Sequence, residues 1–126
     1  MTIQQWVTNA RDSLINHEFL EAVERFYQVE LDEVAASVFS YSCDGDLLES
    51  ESFFRLLSLD EIMFSEECIS RDFAMYSILP LADLSDGNYL CYFGALNIWG
   101  CYNVVEHTSY NGCLTIEDAL SNIGLL

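Results

Sequence analysis

The sequence predicts an α+β domain in two layers: N-terminal helices, a central antiparallel sheet and a C-terminal helix. Three observations carry this. Apolar residues recur at helical spacing as far as Phe39. From Met75 to Val105 the chain becomes aromatic and β-branched, and Asp86-Gly87-Asn88 punctuates it. Near the end, Thr115, Asp118 and Gly124 stand where a helix is capped at both ends.

Ile3, Trp6, Val7, Ala10 and Leu14 form the first stripe. Phe19, Leu20, Val23, Phe26 and Tyr27 form a second, with Glu18, Glu21 and Glu24 pointing elsewhere. Leu31, Val34, Ala35, Val38 and Phe39 form a third, with Asp32 and Glu33 in its first turn, where the helix dipole favours anions. Asp44-Gly45 marks a turn, and Phe53 to Leu57 reads as a short strand. Ser58-Leu59-Asp60-Glu61 has the capping-box pattern of a short helix. Met75 to Leu81 reads as a strand ending near Pro80. Tyr89 to Phe93 and Cys101 to Val105 read as further strands, and Gly94 and Gly100 bracket a connection with room for another short one. Asn111-Gly112 signals a turn before the closing helix at Thr115. Residues 1–126 contain no linker, repeat or low-complexity tract, so a single domain is expected.

The composition narrows the function. Apolar residues make up 52% of the 126, enough for an ordinary core and incompatible with global disorder. Four arginines and no lysine stand against 21 acids, a net charge of −17. Direct nucleic-acid binding and anionic membrane surfaces are disfavoured, because both need Lys and Arg. No apolar run is long enough to span a bilayer, and MTIQQWVTNARDS lacks a secretory pattern. A cytoplasmic protein is expected. Its five cysteines (Cys43, Cys68, Cys91, Cys101 and Cys113) are odd in number and without CxxC, so they are expected to be reduced and mostly buried.

Seventeen of the 21 acids fall between Glu18 and Asp86. Such a run is either a solvated face or a surface whose self-repulsion a basic partner relieves. The turns near Gly45 and Gly87 offer exposed, scaffolded carboxylates. Asp44, Asp46, Glu49, Glu51, Asp83 and Asp86 are therefore the candidate partner-binding residues.

Catalytic chemistry finds little support. Gly45 falls between Asp44 and Asp46, which breaks the spacing of a calcium loop. No carboxylate pair is singled out for acid–base work. His17 and His107 are far apart, and His107 follows Glu106 in an expected strand. Cys101 lies six residues from His107, too far along one strand for a nucleophile–base pair, although a pairing across the sheet stays open. There is no GxGxxG, P-loop, GxSxG or HExxH. Trp99 and the aromatic segment 89–102 suit either a pocket or a core face. No catalytic residue, metal or cofactor is expected.

From Phe19 to Ile123 the chain resembles the SUKH superfamily of bacterial immunity proteins. The resemblance rests on LEAVERFYQVEL, FFRLLSLDEI, ILPLADLSDGNYLCYF and TIEDALSNI. Glu30-Leu31-Asp32 stands where that family usually has Leu-Pro, and Asp44-Gly45 where Gly-Gly is common. The resemblance implies a non-enzymatic, cytoplasmic protein that binds one cognate toxin of a contact-dependent or other polymorphic system. Many such toxins are nucleases with basic surfaces, which an acidic inhibitor suits. The rival expectations are an acidic adaptor or nucleic-acid mimic binding another basic protein, and a small hydrolase.

Overall fold

The computed structural model describes residues 1–42 and 54–126. Three helices come first: α1 (Ile3–Arg11), α2 (His17–Tyr27) and α3 (Glu33–Ser42). A two-residue strand β1 (Arg55–Leu56) and three short helices follow: α4 (Leu59–Met63), α5 (Ser65–Cys68) and α6 (Asp72–Met75). The strands β2 (Ile78–Ser85), β3 (Asn88–Phe93), β4 (Ile98–Asn103) and β5 (Thr108–Cys113) then run as a meander, closed by α7 (Ile116–Asn122). Among the described residues the sheet has the order β1-β2-β3-β4-β5, antiparallel throughout. This is the α+β build expected, and no described helix is long and apolar enough to cross a membrane.

Local chemistry explains where most of the described helices begin. Thr2 and Gln5 close a capping box on α1, Asn16 caps α2 through the Phe19 N–H, and Asp32 caps α3 through the Ala35 N–H. Ser58 and Glu61 form the expected box on α4. Thr115 accepts the Asp118 N–H at 3.1 Å, but the return bond is not made. An Asp is one methylene shorter than the Glu that makes it at Ser58. Gly124 takes φ +81° just beyond α7, a backbone setting that favours glycine.

Several expectations change. Met75 belongs to α6, and β2 starts at Ile78 and runs through Pro80 to Ser85. The register shifts between Pro80 and Ala82, an irregularity that accommodates a residue without an N–H. The Gly94–Asn97 connection is a turn, and Gly100 lies within β4. Val104 and Val105 open the β4–β5 turn, which also holds Glu106 and His107, so these two are not in a strand. Asn111 and Gly112 lie inside β5, where the register with β4 shifts and Asn111 takes φ +56°. The turn signal there marks a bulge. Helix α1 ends at Arg11, leaving Leu14 92% exposed.

Helices α4 and α5 are held by tertiary bonds rather than by periodicity. The Tyr27 hydroxyl of α2 donates to the Ile62 carbonyl at 2.6 Å and meets Ser65 Oγ at 2.5 Å. All three residues are buried, and desolvation pushes the Tyr27 phenol well above its ordinary range. Cys91 and Cys101 are buried, Cys113 is half-buried and Cys68 is exposed, all as free thiols. Burial raises the pKa of both Cys91 and Cys101. Cys43 lies outside the described residues.

Candidate functional site

Strand alternation sorts the sheet into two faces. Leu79, Leu90, Tyr92, Trp99 and Cys101 share one, as their cross-strand pairing shows. This face carries α3 and α7. Phe39 of α3 stacks on Trp99 at 5.9 Å, and the Tyr92 hydroxyl donates toward Asp32 Oδ2 and Asn97 Oδ1. Asn122 of α7 donates to Cys113 Sγ, and Arg11 of α1 pairs with Glu117 of α7 at 3.0 Å. Trp99 is therefore core, not pocket.

On the other face, register lines up one residue from every strand: Arg55, Asp83, Tyr89, Tyr102 and Ser109. Phe73 of α6 meets Tyr89 and Tyr102 edge-on at 5.4 and 5.9 Å and so covers the middle of this row. The two ends differ.

At the first end Arg55 grips Glu61 with two bonds, at 2.8 and 2.9 Å, and lies 3.6 Å from Asp83 Oδ2. This fork raises the Arg55 pKa and lowers that of Glu61. Asp83 Oδ1 also accepts the Ser85 N–H at 2.8 Å. Both Asp83 oxygens are engaged within the domain. Asp86 sits at the exposed β2–β3 turn with φ +57°, and its carboxylate has no partner among the described residues. Asp44, Asp46, Glu49 and Glu51 lie outside the described residues. The structure brings Asp83 and Asp86 to one end of the sheet, and only Asp86 presents an unengaged carboxylate.

At the second end Asp72, with its side chain 9% exposed, accepts the Tyr102 hydroxyl at 2.8 Å and faces His107 Nδ1 at 2.5 Å. The hydrogen bond from His107, with that from Tyr102, holds the Asp72 pKa below the usual carboxylate range against its desolvation. Desolvation, reinforced by Asp72, pushes the Tyr102 phenol well up. An ionised carboxylate only accepts, so Nδ1 carries the proton toward Asp72. In the neutral ring, Nε2 is then an acceptor. His107 is held in this position by a turn in which it takes φ +57°.

This pair borders a cleft of about 330 Å³ lined by Tyr76, Ile78, Phe93, Ala95, Leu96, Tyr102, His107 and Ser109. Tyr76 is 57% and Leu96 68% exposed. A Cβ on Gly100 would lie 3.0 Å from Phe93 Cε2, so bare backbone gives the Phe93 ring its place beside the cleft. A larger hollow of about 680 Å³ between α1 and α3 contains Arg11, already paired with Glu117. No protein-family model, curated protein or solved structure matches the chain.

Sequence reasoning weighed His107 against Cys101, found them too far apart along one strand, and left a pairing across the sheet open. Cys101 lies on the helix-packed face, whereas His107 meets Asp72 on the opposite face. Asp72 was one acid among many, and no spacing rule connects it to a histidine 35 residues away. Its only sequence-level distinction is a place between Arg71 and Phe73.

Proposed function

We propose that this protein is a cytoplasmic immunity protein that binds a cognate, basic toxin domain, a nuclease above all, and blocks it without catalysis. The charge carries this reading: 21 acids against four arginines. Internal bonds consume some of them, as at Asp32, Glu61, Asp72 and Asp83. Glu18, Glu30, Asp60, Glu66, Glu67 and Asp86 stay exposed, with no side-chain partner among the described residues. The resemblance to SUKH immunity proteins points the same way. The β2–β3 turn at Asp86 is the described part of the binding surface, and Asp83 supports it through Arg55.

The test uses the toxin domain encoded beside this protein's gene. Co-expression should protect cells, and the purified pair should associate at up to about 10⁸–10⁹ M⁻¹s⁻¹ at low salt, against about 10⁵–10⁶ for uncharged partners. The rate should fall steeply as the Debye length shrinks from ~10 Å at 0.1 M to ~3 Å at 1 M. Absence of both protection and complex formation overturns the reading. Salt-dependent capture of an unrelated basic protein, without protection, favours an acidic adaptor instead.

A further inference from the structure

We propose that the cleft just beyond α6, over strands β2–β5, is an arginine-binding site, built to receive one arginine side chain of a basic partner. The inference rests on the partner reading above and names its anchor.

The walls fit a guanidinium in three respects. Tyr76 and Phe93 supply aromatic surface, on which a planar, weakly hydrated guanidinium stacks in preference to a compact ammonium. Leu96 and Ile78 supply apolar surface for the methylene stem. His107 supplies the polar contact. Asp72 accepts the Nδ1–H hydrogen bond, so in the neutral ring Nε2 faces outward as an acceptor on a side chain 65% exposed. The Ser109 hydroxyl, on the same rim, is a second acceptor.

The charge of the site selects the sign of the guest. Asp72 meets the ring at Nδ1 and Glu106 precedes His107 in the turn. An anion would meet these two carboxylates and a chain of net charge −17. A purely apolar guest would bury the His107 acceptor without a donor. Arginine satisfies stacking, stem burial and donation together, and its charge suits the acidic surroundings. Such aromatic-lined arginine contacts are the kind that dominate interface energetics.

The experiment follows side-chain and backbone NMR signals of the full chain during titration with Nα-acetyl-arginine methylamide, with the lysine counterpart as control. Saturable shifts confined to Tyr76, Phe93, Leu96, Tyr102 and His107 are expected, with at least about tenfold preference over lysine. Tyr76→Ala changes an exposed ring and keeps the fold, yet should weaken arginine binding about tenfold. His107→Phe keeps the aromatic surface but removes the acceptor, and should weaken binding of both probes while keeping the preference for arginine, which stacking supplies. Equal response to both probes, or unsaturable shifts spread over the acidic surface, overturns the proposal. If the toxin binds wild type and Tyr76→Ala alike and the arginine probe fails, the cleft assignment falls while the immunity reading stands. If the probe saturates the cleft but no toxin is neutralised, the immunity reading falls and the arginine site remains.

Discussion

The two faces of the sheet are made from the same strands and do opposite things. On one, Tyr92 and Trp99 pair across β3 and β4 and are closed off by α3, with the Tyr92 hydroxyl bonded at Asp32 and Asn97. On the other, Tyr89 and Tyr102 pair one step along the same strands. There they meet α6, which has four residues, with charged groups at either end of the row. A period-2 backbone delivers residues to both faces equally. What differs is how far the covering helix extends. Where cover is complete the face is core. Where it stops short, the exposed ends hold Asp83–Arg55–Glu61 and Asp72–His107, and recognition has room to occur.

The largest break of this contrast is Trp99→Ala. The ring is 2% exposed and packs on both Phe39 and Tyr92, so its loss should cost about 3–5 kcal/mol. Tyr76→Ala, on the open face, should stay within about 0.5 kcal/mol. Urea denaturation of the two variants checks this, and equal losses would remove the distinction between the faces. Gly100→Ala probes the two together. Its new Cβ would stand 3.0 Å from Phe93 Cε2 and 3.1 and 3.2 Å from the Tyr110 and Asn111 carbonyl oxygens. Backbone oxygens on β5 cannot yield as a side-chain tip does. A cost of about 1–3 kcal/mol is expected, with the Phe93 signals shifted.

Asp72→Asn sharpens the contrast from the polar side. It replaces a buried, ionised acceptor of two hydrogen bonds and should cost about 1–3 kcal/mol near neutrality. The pH dependence has a definite sign. The folded Asp72 pKa lies below its unfolded value near 4, so the unfolded chain binds the proton first as pH falls. The stabilisation is therefore complete above about pH 5 and disappears as pH drops through the folded pKa. Wild type and Asp72→Asn should differ most near neutrality and converge in acid, as paired thermal melts across this range would report. A constant gap would mean that Asp72 acts through packing rather than through charge.

How much of this was legible in the sequence follows the range of the cause. The boundaries of α4 and α7 depend on contacts three residues apart, and Ser58, Glu61, Thr115 and Gly124 announce them. Strand β3 follows from its aromatic run and the turn before it. Helices α5 and α6 were missed because four residues carry no usable period, and tertiary contacts such as Tyr27 with Ser65 hold that region. Asn111-Gly112 was misread because a bulge and a turn call on the same residues for the same positive φ. Asp72 and His107 lay beyond reach because the packing of α6 against the sheet, not spacing, brings a helix residue to a turn. Asp83 and Asp86 were equal as letters. Only the pairing of β1 with β2 shows that one of them already faces an arginine.

That last inequality yields the smallest expected effect on stability and a direct test of the acidic surface. Asp83→Asn removes a carboxylate near Arg55, a partly exposed pair of the kind worth about 0.2–1 kcal/mol. Asn still accepts from Ser85, so the β2–β3 turn should hold. Asp86→Asn changes an exposed carboxylate at φ +57°, a conformation Asn tolerates as well as Asp, and stability should not move measurably. The order reverses for binding. Asp86 offers an unengaged charge to an approaching basic surface, so its neutralisation should slow association and flatten the salt dependence while leaving dissociation almost unchanged. Asp83→Asn should affect association less, because Arg55 already offsets its charge. Stopped-flow association with the toxin partner proposed above, at two salt concentrations, separates the two. If Asp83→Asn slows binding as much as Asp86→Asn does, internal pairing does not decide which acids of this surface reach the partner.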